Sequence, residues 1–219
     1  MSFAEKELLN PQNSAIIFCD HQPQMAFGVN NIDGQLLKNN VVALAKTGSI
    51  FKVPTILSCI ATESFSGYVW PELLDATRQQ PIERTTMNAM ENENFVKAVR
   101  QTGRKKLIMS GLWTEVCLAL PALTAKAEGY EVYIVTDCSG GTTREAHDMA
   151  IQRMIQAGCC PVTWQQILLE YQRDWANAET YDAVINIVTE HSGVYGMGVD
   201  YAYTMVHKAP QRAKFPQKI

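Results

Sequence analysis

A chain of 219 residues with 47% hydrophobic and 19% charged side chains can bury a full core, which excludes a disordered chain. Its formal net charge is −3 and no run of five like charges occurs, so no basic stripe for nucleic acid is present. No apolar run approaches the ~20 residues of a membrane helix, and Met1 to Glu7 hold no signal-peptide apolar core; a cytoplasmic protein without membrane contact is expected.

In chain order, Ala15-Ile16-Ile17-Phe18-Cys19 is a short unbroken apolar run ending at Asp20. That is the pattern of a strand buried on both faces. From Gln35 to Phe51, Leu36, Leu37, Val41, Val42, Leu44 and Ala45 recur at helical spacing. Pro54 to Ser58 reads as the next strand. A helix opens at Glu93 and runs through Val99. Lys106 to Gly111 is a third clear strand, with Arg104-Lys105-Lys106 as its solvated start. A helix from about Glu115 to Glu128 is closed by Gly129. Glu131 to Asp137 is a strand, Arg144 to Ala157 a helix ending at Gly158, and Cys160 to Thr163 the last strand. Residues 1–176 therefore read as one domain. The remainder, 177–219, holds Tyr181, Tyr195, Tyr201 and Tyr203 with Gly193, Gly196 and Gly198, and reads as an arm packing on the domain or on a neighbouring subunit.

Strands alternating with helices imply parallel βαβ units with right-handed crossovers, a three-layer α/β/α sandwich around about six strands. Ligands of such sheets bind beyond the carboxyl ends of the strands. Asp20, Gly111 and Asp137 each end a strand and are expected on that one edge.

Six cysteines are present. Cys19, Cys59, Cys159 and Cys160 lie in or beside apolar runs, where free cysteine packs as a small hydrophobe. No CxxC pair occurs, so neither a disulfide framework nor a zinc site is read. Cys117 differs. It falls in the first turn of the helix after Gly111-Leu112-Trp113-Thr114-Glu115-Val116, where unpaired N–H groups and the positive dipole end gather. Both favour thiolate over thiol, and the same N–H groups can hold an oxyanion. Taken alone, a buried inert cysteine is the commoner role. Asp20, at the end of the first strand, can accept a thiol proton, although an Asp there often only caps a loop. Arg84 supplies a fixed cation, although a single arginine is most often a surface group.

Taken together, Asp20, Arg84 followed by Asn88-Ala89-Met90, Gly111-x-x-Thr114-x-x-Cys117, Thr136-Asp137, and His147, Ala150, Met154 and Gly158 resemble the isochorismatase-like cysteine hydrolases, most closely the YcaC-type branch. The match runs over roughly residues 12 to 175. The resemblance implies a Rossmann-like parallel sheet of order 3-2-1-4-5-6. It also implies a catalytic set of Cys117 as nucleophile, Asp20 as general base and acid, and a cation supporting both. The family usually has lysine where Arg84 stands; arginine keeps the charge but is larger, planar and never neutral. Met90 stands where an aromatic is usual. A cis peptide is implied at Leu112-Trp113, with the Trp113 and Cys117 N–H groups forming an oxyanion hole. His21, Phe27, Trp70, Asn88 and Thr114 are candidates for the pocket; for the aromatics, core packing is the commoner role. Nicotinamidases of this family hold a metal through an Asp-x-His motif. His21 directly follows Asp20 with no His at the required spacing, so neither metal nor cofactor is expected.

The reading is therefore a hydrolase of a small molecule, at a C–N bond of an amide, working as a homo-oligomer between dimer and octamer. A C–O hydrolase of isochorismatase type, a thiol-redox protein using Cys117, and an oligomeric binding protein with a decayed site stand beside it. Cys117 itself argues against the first of these.

Overall fold

The computed structural model describes residues 7–208. The strands are β1 (Ser14–Cys19), β2 (Thr55–Ile60), β3 (Ile82–Arg84), β4 (Lys106–Gly111), β5 (Glu131–Val135) and β6 (Cys160–Val162). They form one parallel sheet in the order β3-β2-β1-β4-β5-β6. The helices are α1 (Pro23–Phe27), α2 (Gly34–Ile50), α3 (Pro71–Thr77), α4 (Glu93–Gln101), α5 (Ala119–Ala127), α6 (Arg144–Gln156), α7 (Trp164–Gln172), α8 (Ala178–His191) and α9 (Val194–Tyr201). The three-layer α/β fold anticipated from the alternating pattern is the one observed.

Side-chain alternation along β1 explains the layers. Ile16 and Phe18 face one side, where Leu37, Val41 and Leu44 of α2, Ile167 and Leu168 of α7, and Val184 and Val188 of α8 pack. Ala15, Ile17 and Cys19 face the other, against Phe95 and Val99 of α4, Ala119 and Ala122 of α5, and Met154 of α6. Each such large side chain contributes about 1.5–3 kcal/mol by leaving water. Because both faces are covered, β1 and β4 are buried along their whole length, which is why they read as unbroken apolar runs.

Several local readings change. The short edge strand β3 was not recognised in the sequence: three residues, one of them exposed Glu83, carry no periodic signal. Lys106 is not a solvated strand start. It is 5% exposed; its Nζ donates to Glu7 O and Tyr133 Oη, both at 3.0 Å, and sits over the Tyr133 ring. The helix expected from Glu115 begins instead as a wide turn, Thr114–Leu118, and becomes regular only at Ala119. Pro121 has no N–H to give the Cys117 carbonyl four residues back. Leu118 N–H reaches Trp113 O, five residues back. In the C-terminal segment, α8 lies on α2 and α7, burying Val184, Ile185, Ile187 and Val188. α9 folds back on α8, where a side chain at Gly196 would meet Val188 O at 2.4 Å. The last part of the expected arm, 209–219, lies outside the described residues.

Candidate active site at the carboxyl edge of the sheet

Asp20 follows β1 with a left-handed backbone, φ 60°. Its N–H donates to Ser58 O on β2 at 2.9 Å. Gln22, fully buried, ties the same turn down: its Oε1 accepts from Ile60 N at 2.9 Å and its Nε2 donates to Gly67 O at 2.6 Å. Asp20 is thereby held over the end of the sheet. Arg84 arrives from β3, whose register pairs it with Ile60. Its Nη2 forms an ion pair with Asp20 Oδ2, and both side chains are fully buried. The guanidinium is locked further, with Nε donating to Ser58 Oγ at 2.9 Å and Nη1 donating to Thr86 O. A planar fork satisfies three acceptors at once, which an ammonium could not match in this geometry.

Cys117 is 3% exposed and completes the cluster. Its thiol interacts with both the Asp20 carboxylate and the Arg84 guanidinium. Asp20 Oδ1 is buried with no hydrogen-bond partner, which leaves a free acceptor for the proton of the neighbouring thiol. Burial pushes the Asp20 carboxyl up to about 6, against the pull of Arg84 and of the thiol. Burial, and next the Asp20 charge, push the Cys117 thiol up to about 12, while Arg84 pulls it down. The two effects that favour thiolate are thus opposed in the folded chain. The helix-end N–H groups and one cation do not outweigh desolvation plus an adjacent carboxylate. At neutral pH the site holds a thiol beside a carboxylate that can take its proton.

The loop between β4 and Cys117 is fixed on several sides. The Leu112-Trp113 peptide is cis. Trp113 Nε1 donates to Met25 O at 2.8 Å, and Gly28 lies so close beneath the indole that a Cβ there would stand 2.8 Å from Trp113 Cζ2. Leu112 is fully buried and pairs with Gly140. Thr114 N donates to Gly140 O at 2.9 Å, Val116 N to Trp113 O at 3.1 Å.

The other candidate residues scatter. His21 is 1% exposed; its Nε2 lies 3.2 Å from Cys138 O, and its ring meets Phe18 and Trp70 edge-on. Burial lowers it to about 4, so it is neutral. Trp70 is core. Phe27 is 80% exposed, which overturns core packing for it: α1 is only five residues long and turns just Met25 inward. Asn88 spends its amide on Met90 N, Thr124 Oγ1 and Glu91, capping the turn before α4. Thr114 is fully buried with its hydroxyl 2.8 Å from His147 Nδ1 on α6. All six cysteines are free. Among the described residues no three His, Cys, Asp or Glu side chains converge as a metal site would require, and no helix is long and apolar enough to cross a membrane.

Sequence reasoning missed Ser58, Gln22 and Gly28. Ser58 had a signal, a polar residue in an otherwise apolar strand end. The other two had none that one sequence displays.

A parallel sheet carrying an acid, a cation and a cysteine at its carboxyl edge defines a class, and the isochorismatase domain family matches residues 14–166. The chain belongs to that family and is a hydrolase. It is 40% identical to probable hydrolase YcaC of Escherichia coli over 171 residues, 77% of this chain and 82% of that one. The crystal structure of the E. coli protein, an octameric hydrolase of unknown specificity, superposes with a TM-score of 0.87 at 36% identity, covering 91% of this chain and 98% of that one. YcaC from Pseudomonas aeruginosa, bound to hexane-2,5-diol and covalent acrylamide, gives 0.85 at 35% identity with the same coverage.

Proposed function

We propose that the chain hydrolyses the C–N bond of a small amide through a thioester on Cys117. The observation that carries this is the fully buried Asp20–Arg84 ion pair, with the buried Cys117 thiol coupled to both groups. Asp20 takes the thiol proton as Sγ attacks the carbonyl carbon. The carbonyl electron pair moves to oxygen, which the N–H groups of Trp113 and Cys117 receive. As that pair returns, the C–N bond breaks and Asp20 delivers the proton to the departing nitrogen. Water, deprotonated by Asp20, attacks the thioester; the acid leaves and the thiol is reprotonated. Arg84 stays charged throughout and keeps Asp20 ionised despite its burial. A raised thiol pKa disfavours the redox-sensor reading, which needs a standing thiolate. The P. aeruginosa relative carries covalent acrylamide, itself a small amide, which supports small amides as the first compounds to try.

Homo-oligomerisation is part of this proposal. The E. coli relative is octameric, and α9 presents an exposed apolar row: Val194, Met197, Tyr201 and, just beyond it, Met205.

The test is mass spectrometry of the intact protein during turnover of a panel of small amides. An acyl adduct confined to Cys117, absent in Cys117→Ala, is expected. Turnover undiminished in Cys117→Ala would overturn the mechanism.

A further inference from the structure

We infer that His147 is a positioning residue for Cys117, acting through its hydrogen bond to Thr114; the inference rests on Cys117 being the nucleophile. Thr114 and Cys117 share one wide turn, three residues apart, and α6 packs against that turn. Thr114 is fully buried, its N–H bonded to Gly140 O and its hydroxyl 2.8 Å from His147 Nδ1. The turn is therefore gripped from both backbone and side chain at its first residue. The neighbouring residue is gripped as well: Glu115 Oε1 accepts from Thr142 N at 3.0 Å and from Thr142 Oγ1 at 2.6 Å. Gly141 makes room for this arrangement, since a Cβ there would stand 2.8 Å from Glu115 Oε2 and 2.9 Å from His147 Cβ.

Freeing Thr114 changes the direction of the Cys117 thiol and of the N–H groups meant for the oxyanion. Small displacements of a nucleophile cost rate steeply. Burial lowers the imidazole below its ordinary range while Glu115, from the turn, and Asp148, on α6, oppose this. At neutral pH His147 is therefore uncharged, and either tautomer keeps the bond, because a hydroxyl both donates and accepts.

The experiment measures the rate of Cys117 modification by acrylamide at neutral pH in the full chain, together with the melting temperature. The variants are Thr114→Val, Thr114→Ser, His147→Ala and His147→Asn, with Asp20→Asn alongside. Expected are losses of at least ~10-fold for Thr114→Val and His147→Ala, and rates near wild type for Thr114→Ser, which keeps the hydroxyl, and His147→Asn, which keeps a polar partner. Thr114→Val is isosteric and is expected to fold. Rates in Thr114→Val and His147→Ala equal to wild type, with Asp20→Asn slow, overturn the positioning role and leave the base intact. Losses that follow melting temperature across all four variants, the conservative ones included, overturn it in favour of plain folding support. A rate indifferent to Asp20→Asn strikes the mechanism itself.

Discussion

Cys117 sits in a turn whose N–H groups favour an anion, yet its thiol is pushed up to about 12 while Asp20 is pushed up only to about 6. The two groups share one buried space and one cation, so the proton rests on sulfur and the charge on the carboxylate. Cys117 modification is therefore expected to be flat above about pH 7 and to fall with acid as Asp20 is protonated, close to tenfold per unit well below 6. Asp20→Asn should remove that limb and lower the neutral rate by about 10²–10⁴-fold; a pH–rate profile of both proteins checks this. The same shift affects stability, with a definite sign. Asp20 is raised above its ordinary 3.8 in the folded chain, so the folded state holds the proton more tightly. Its contribution is complete below about pH 4 and is lost as pH rises through 6. Between pH 5 and 7.5 wild type should lose about 1–2 kcal/mol relative to Asp20→Asn, measurable by urea unfolding at the two pH values. A gain over that interval would contradict a raised carboxyl.

At the level of elements, the site depends on the α1 loop as much as on the strands. Gly28 lets that loop lie against Trp113, whose indole bonds Met25 O. Gly28→Val should force the indole off, cost about 1–3 kcal/mol by overpacking, and slow Cys117 modification; unfolding and acrylamide kinetics read the two effects separately. The elements also differ in how far they could be read in advance. β1, β4 and β5 stood out because burial on both faces demands continuous apolar runs. Asp20 and Cys117 were visible because each follows a strand that reads clearly, whereas Arg84 stood out only as a cation in the family's order of residues. β3 was invisible, being three residues on the sheet edge. The wide turn at Cys117 did leave a signal: Pro121 stands seventh in a helix read from Glu115, and its missing N–H leaves the Cys117 carbonyl without a regular helical donor. The thiol's raised pKa could not be read at all: it depends on Asp20, 97 positions away, and on burial by both layers.

For the whole molecule, the C-terminal segment separates two kinds of apolar surface that a single sequence presents alike. Val184 and Val188 on α8 are fully buried in the core that covers α2. Val194, Met197 and Tyr201 on α9 are 83%, 71% and 61% exposed, on the side opposite Gly196, which meets α8. A contiguous exposed row of this size on a helix fits subunit contact better than solvent. Substituting a carboxylate into the two surfaces should then have opposite outcomes. Val188→Asp buries an unpaired charge and should cost at least ~3 kcal/mol, seen as loss of the cooperative unfolding transition at neutral pH. Met197→Glu with Tyr201→Glu should leave the far-ultraviolet spectrum of the chain native while lowering, in light scattering, the mass of the proposed homo-oligomer. An unchanged mass would remove α9 from the subunit interface and leave its row to some other partner. An unfolded chain would mean that α9 belongs to the core after all, against the exposure of its outer face.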